Sequence, residues 1–248
     1  MLDNPKFSII TICYNASQTI GRTLDSVTSQ SWPDKEYIII DGASADSTMD
    51  IIKGYRDKID ILVSEPDKGL YDAMNKGLML ATGDYVCFIN AGDRFHETST
   101  LEQIAAQVKE LPELPGVVYG NTALTDMSGK IYGMRRLSPP EHLNWKSFKN
   151  GMLVCHQAFY ARRDIAEPYD LQYRFSADVD WCIRVMKKAG TLHNTHLIVA
   201  DYLEDGSGVT IDNRKASLKE RFAIMRKHYG LVSTLCHHAW FAVRLLFK

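Results

Sequence analysis

Three acid-bearing segments have the residue types and spacing for chemistry. DGASADST, residues 41–48, sets a carboxylate at the end of an apolar run, then small residues, then a second acid and hydroxyls. Such a loop can accept a hydrogen bond through Asp41 and offer backbone N–H groups to anionic oxygens. The same residues also fit a turn followed by a helix cap at Asp46. FINAGD, residues 88–93, ends an apolar run on Asp93. That carboxylate can hold a hard cation such as Mg²⁺, which takes few protein carboxylates beside substrate phosphates; it can equally cap a turn that Gly92 permits. In FSADVDW, residues 175–181, Asp178 and Asp180 open a helix, where acids complement the macrodipole. A catalytic role requires one of them to face a cleft as a general base, within hydrogen-bond reach of a hydroxyl. His156, in LVCHQAFYA, is a lone histidine on an apolar run, and such residues are more often satisfied within a core.

The elements that must position these residues alternate two periodicities. FSIITIC (7–13), EYIIID (36–41), DILVS (60–64) and YVCFIN (85–90) are runs of β-branched and aromatic residues, as buried parallel strands require. Helical stripes fill the gaps: Ile20, Leu24 and Val27; Met49, Ile51 and Ile52; then Leu70, Met74, Leu78 and Ala81 before Gly83. Four such alternations predict right-handed βαβ units and a mainly parallel sheet flanked by helices. Tyr14-Asn15, the 41–44 loop, Glu65 to Lys68 and Asn90 to Asp93 all fall at carboxyl ends of strands, where open parallel sheets bind ligands. Beyond a capping box at Ser99 and Glu102, the pattern predicts an antiparallel extension. It consists of a hairpin through Met127-Ser128-Gly129, a strand over 153–161, a helix over 178–189 closed by Gly190, and helices from about Asn213. We expect one catalytic domain over 1–205, with a nucleotide-binding half to about 95, an acceptor-side half over 96–205, and a C-terminal helical region over 206–248.

With 45% apolar residues, 24% charged and a net charge of -1, the 248-residue chain can bury a core and lacks the basic footprint of a nucleic-acid binder. Its five cysteines show no C-x-x-C pairing and read as reduced, buried thiols, which with a start lacking a signal core points to the cytoplasm. The tail from 231 is too short in apolar residues to span a bilayer. It has two readings: an amphipathic helix on the inner face of the plasma membrane, or a stripe packed on the domain or at a homodimer interface.

Read in order, IITICYN, EYIIIDGASADST, EPDKGLYDAMNKGLMLATGDYVCFINAGD, CHQAFYARR and FSADVDW resemble family 2 of the glycosyltransferases over residues 6–185, nearest to enzymes of bacterial surface polysaccharide assembly such as the colanic acid type. The resemblance implies an α/β GT-A fold: a Rossmann-like, mainly parallel sheet with a small antiparallel extension and C-terminal helices. It implies an inverting hexosyltransferase that takes a sugar from a nucleotide-sugar donor, UDP-linked in many relatives, to a glycan or lipid-linked acceptor. By the same likeness Thr11 and Tyr14 border the base pocket, Asp41 recognises uracil, and Ser44 lies on the nucleotide side. Lys68, Asn75, Asn90 and Ala91 also match nucleotide-contacting stretches. Asp178 falls at the catalytic base, with His156, Gln157, Asp180 and Trp181 on the donor or acceptor side. Many relatives carry D-x-D-D where this chain has Asn90, Ala91, Gly92 and Asp93, so either Asp93, the expected ligand, takes over coordination of Mn²⁺ or Mg²⁺, or the cation is held weakly, mainly by the diphosphate. That reduced motif also admits a catalytically silent subunit that binds nucleotide or partner proteins, and a nucleotidyltransferase is a third option.

Overall fold

The computed structural model describes residues 2–204 and 213–246. Strands β1 (Phe7–Cys13), β2 (Lys35–Asp41), β3 (Ile61–Ser64) and β4 (Tyr85–Phe88) lie parallel in the order β3-β2-β1-β4. Ile9, Ile10, Ile38, Ile39, Ile40 and Phe88 are fully buried. Consecutive residues pointing to opposite faces and all buried require cover on both sides. Helices α1 (Ile20–Thr28), α2 (Thr48–Lys53) and α3 (Leu70–Leu80) flank the sheet, α1 through its buried stripe of Ile20, Leu24 and Val27. Gly77 lets α3 approach β1, since a Cβ there would lie 2.5 Å from the Ile10 Cγ2. Because neighbours are added on both sides of β1, the connections diverge there and open a crevice at its carboxyl end.

The second half continues the same sheet. After β5 (Arg94–Phe95) and α4 (Thr100–Lys109), β6 (Val117–Thr125) turns through Gly129, at φ 83, into β7 (Ile131–Met134). β8 (Phe159–Arg162) runs antiparallel between β4 and β6, and β9 (Leu192–Leu203) pairs parallel with β6 and antiparallel with β5. Among the described residues these nine strands form one sheet. Helix α5 (Ala177–Lys188) ends just before Gly190 at φ 64, and α6 (Arg214–Tyr229) and α7 (Leu231–Leu246) follow. The boundary expected between 205 and 206 lies outside the described residues, as do the last two residues of the tail.

Local expectations needed correction in four places. Ser99 stands at the N-cap of α4 without a side-chain cap bond, because its hydroxyl donates to Glu97 and accepts from Gln103, and the Glu102 carboxylate that would return the bond is taken by the Ser31 hydroxyl at 2.6 Å. The strand expected over 153–161 starts only at Phe159; residues His156–Ala158 make a 3₁₀ turn instead. The strand expected over 85–90 stops at Phe88. Four cysteines are buried, but Cys236 is exposed on α7. Among the described residues no helix is long and apolar enough to cross a membrane.

Candidate active site at the carboxyl edge of the sheet

Two loops are laced together where β1 and β2 end. Asn15 and Ala43 both take left-handed backbone, at φ 47 and 59, a conformation that costs non-glycine residues energy and collects at functional sites. The Asn15 N–H donates to the Ser44 hydroxyl at 2.8 Å and its side-chain oxygen accepts from the Ala45 N–H at 2.9 Å. Asp46 accepts from the Ser17 and Thr48 N–H groups, each at 3.0 Å, so it ties the loops together while Ser47 takes the N-cap position. Asp41 is fully buried and accepts from the Ser44 N–H, the Ser44 hydroxyl and the Ser64 hydroxyl. These bonds hold the loop in place and leave Tyr14, 65% exposed, standing over the crevice beside Gly42.

A second set of side chains converges from β4, the 3₁₀ turn, α3 and α5. The Tyr71 hydroxyl donates to Asp178 Oδ1 at 3.0 Å, and the Val179 N–H donates to the same oxygen at 3.0 Å. Asp178 Oδ2 has His156 Nδ1 at 3.9 Å, beyond hydrogen-bond reach, and is thereby left to accept a proton. His156 Nε2 lies 3.2 Å from the Asn90 amide nitrogen, while Asn90 Oδ1 is buried without a partner among the described residues. Burial lowers the His156 pKa; the Asp178 charge works against this and Arg135 reinforces it. Burial, with the Asp178 charge beside it, raises the Tyr71 hydroxyl well above its ordinary value, so Tyr71 is a fixed donor. The arrangement is a carboxylate with one oxygen pinned and one open, flanked by a neutral imidazole and an amide with a spare acceptor. That is the geometry of a general base at a polar ligand site.

Asp93, the expected cation ligand, is placed otherwise. It is buried, Oδ2 accepts from Gln157 Nε2 at 2.5 Å, and Oδ1 accepts from the Leu203 N–H at 3.0 Å. Burial pushes its pKa up to about 7, against those two bonds and the charge of Arg22. A carboxylate turned inward with both oxygens already accepting hydrogen bonds is a poor ligand for a hard cation. Gly92 beside it has no donor side chain, and among the described residues no three His, Cys, Asp or Glu side chains gather as a metal site. The described residues therefore do not fit a divalent cation held at Asp93.

Five other expected positions are buried or spend their polar groups elsewhere. Thr11 is buried, donating to the Ile89 carbonyl at 2.7 Å, because its side chain points into the sheet's core. Asn75 spends its amide on the Tyr169 backbone, at 3.0 and 2.7 Å. Gln157 is buried between Cys155 and Asp93. Trp181 is fully buried, stacked on Tyr169 at 4.9 Å, with its indole N–H on the Glu167 carbonyl. Asp180 points to α6, accepting from His228 and Lys227 there and from Arg184 one turn along its own helix. Burial would raise its pKa, but those three donors hold it well below the usual carboxylate range. Lys68 is exposed before α3, and Ala91 is half-buried with its N–H on the Ile12 carbonyl. Tyr71 was not anticipated, since nothing in its local pattern marks a tyrosine 107 residues from its carboxylate partner.

Comparison with known proteins follows the same outline. The family profile described as "Glycosyl transferase family 2" matches residues 8–169. The chain is 34% identical over 212 residues to the PGL/p-HBAD biosynthesis glycosyltransferase of Mycobacterium bovis (strain BCG / Pasteur 1173P2), covering 82% of this chain and 78% of that one. It is 31% identical to the amylovoran biosynthesis glycosyltransferase AmsB of Erwinia amylovora, over 73% of this chain and 64% of the relative. Among solved structures, S. aureus TarS 1–349 in complex with UDP-GlcNAc superposes with a TM-score of 0.70 at 19% identity, over 89% of this chain. The chain spans 64% of that TarS chain, and the likeness concerns the fold.

Proposed function

The chain belongs to glycosyl transferase family 2, and from that premise we propose that it is an inverting hexosyltransferase using a UDP-linked donor. The acceptor in this reading is a hydroxyl of a glycan or lipid-linked glycan in bacterial polysaccharide assembly. Two of the relatives support the setting, being named for the biosynthesis of PGL/p-HBAD and of amylovoran. The choice of uridine draws on TarS, described in complex with UDP and with UDP-GlcNAc. Residues 1–205 would act as one catalytic unit, 1–95 on the nucleotide side and 96–205 on the acceptor side, working from the cytoplasmic side of the membrane.

One observation carries the mechanism: Asp178 presents an open Oδ2 while Tyr71 and the Val179 N–H pin Oδ1. The acceptor hydroxyl gives its proton to Oδ2 as its oxygen bonds to the anomeric carbon, and the bond from that carbon to the diphosphate breaks on the opposite face. The anomeric configuration inverts, through a transition state of oxocarbenium character. Tyr14 offers its exposed ring to the base. Ser44 remains on the nucleotide side, with Asp41 acting through it as a positioning residue. Asn90 stays on the nucleotide side at the β4 tip, where its Oδ1, buried and unpartnered among the described residues, meets a ribose or sugar hydroxyl only if the side chain turns outward on binding. Positive charge near the site comes from Arg135, felt by His156, and Arg221, felt by Tyr71.

The second reading, a nucleotide-binding subunit without turnover, draws on the inward turn of Asp93. Purified protein incubated with a panel of UDP-sugars, with and without acceptor and with Mn²⁺, Mg²⁺ or chelator, separates the two. Acceptor-dependent UDP release supports transfer. UDP binding without release across the whole panel supports the silent subunit.

A further inference from the structure

Helix α7 is turned inside out. On the side facing the protein it carries buried Thr234 and half-buried His237, His238 and Phe241, His238 lying 5.0 Å from the Phe222 ring and 5.6 Å from Phe241. On the outer side Leu231, Val232, Leu235, Trp240 and Val243 are exposed, Val232 at 76% and Trp240 at 57%. A helix that serves a core shows the reverse polarity, and a contiguous apolar strip left outward marks an interaction surface.

Charge indicates what meets it. Residues 214–248 contain eight Lys or Arg and one acid, Glu220, a net +7 in a chain whose total is -1, so residues 1–213 carry -8. Next to α7, the 3₁₀ segment Trp145–Asn150 and α5 add more lysines on an aromatic ledge. Trp145 stacks on Tyr229 at 5.7 Å, with Lys187 at 4.7 Å and Lys146 at 5.6 Å from the Trp145 ring and Lys149 5.4 Å from Tyr229. An apolar strip with cationic neighbours and no acid of its own suits the headgroup and acyl boundary of an anionic bilayer. Two copies of this chain meeting face to face would set one lysine-rich ledge against another. A nucleic acid would meet the charge and leave the apolar strip in water.

We propose that the outer face of α7 docks on an anionic lipid surface, Val232, Leu235, Trp240 and Val243 entering the apolar layer while Lys146, Lys149 and Lys187 meet headgroup phosphates. This placement is independent of the transfer reaction and has its own readout. The full chain is sedimented with vesicles of phosphatidylcholine alone and of phosphatidylcholine with phosphatidylglycerol. It is expected to partition to the anionic vesicles and to be released by salt. Val232→Glu/Trp240→Glu and Lys146→Glu/Lys149→Glu each weaken partition by roughly tenfold or more, with UDP binding and melting temperature unchanged. Should the glutamate variants fold poorly, wild-type tryptophan emission supplies the second measure: anionic vesicles shift it to the blue, and Trp240→Phe abolishes the shift. Equal partition to neutral vesicles, or no partition and no shift, overturns the proposal. So does a dimer in sedimentation equilibrium that Val232→Glu/Trp240→Glu dissociates while vesicles are ignored.

Discussion

The two ends of the parallel strands hold buried carboxylates in opposite conditions. At the amino ends, Glu36 accepts from the Ser8 hydroxyl, the Thr82 N–H and hydroxyl, the Gly83 N–H and the Lys6 ammonium. Burial works against its charge, but the bonds from Ser8 and Thr82 outweigh it and bring the pKa to about 2. At the carboxyl ends, Asp93 has two donors, and burial lifts it to about 7. Near it stand an unpartnered Asn90 oxygen, a histidine held neutral, and two non-glycine residues in left-handed backbone. The carboxylate at one end is fully met by donors; at the other end the carboxylate, an amide oxygen and two backbone turns are strained or incomplete. Such departures from local consistency belong where ligands bind, and they support placing the chemistry at the carboxyl edge.

The largest effect is expected at Asp178. Asp178→Asn should lower transfer by about 10²–10⁴-fold, the usual worth of a general base, with UDP affinity kept; steady-state kinetics beside UDP calorimetry measures both. Near-normal turnover would move the base elsewhere.

The two carboxylates then give pH dependences of opposite sign. Asp93 is raised from 3.8 to about 7, so its contribution to stability is complete below about pH 4 and lost as pH climbs through 7, on the order of 4 kcal/mol. Glu36 is depressed from 4.5 to about 2, so its contribution holds above pH 4.5 and is lost as pH falls towards 2, on the order of 3 kcal/mol. Denaturant unfolding across pH should show Asp93→Asn flattening the decline between about pH 4 and 7, and Glu36→Gln flattening the acid limb. Identical profiles for the two variants would erase the distinction.

Smaller effects sharpen it. Tyr71→Phe removes the hydroxyl that pins Asp178 Oδ1 and should cost roughly 10–100-fold in kcat with little change in KM, as expected for a bond to a charged group. Gly77→Ala should leave the site alone and cost about 1–3 kcal/mol of stability, because the new Cβ would press on buried Ile10. Thermal melting with a donor-binding control checks that one.

Legibility in the sequence followed the physics of burial. β1, β2 and β4 are covered on both faces, so FSIITIC and EYIIID appear as unbroken apolar runs, and the stripe of α1 repeats at helical spacing. The loops at Asp41 and Asn90 were legible for the same reason, since polar residues interrupt those runs abruptly. What the string hides is direction. Asp178 and Asp180 are two residues apart on one helix, about 200° around it; one meets Tyr71 and the other meets α6. His156 and Gln157 are adjacent, yet one reaches Asn90 and the other Asp93. The backbone partner of Asp93 is Leu203, 110 residues away, so no local pattern could show that this acid is turned inward.

The most direct test of catalysis at the carboxyl edge is a crystal structure with UDP bound, in the presence and absence of Mn²⁺. Uridine is expected against Tyr14, the diphosphate running past the β4 tip towards Asn90, and Asp178 Oδ2 open beyond its free end, with no cation on Asp93. Uridine bound away from Tyr14, Asp178 sealed from the diphosphate, or a cation coordinated by an outward-turned Asp93 would contradict it.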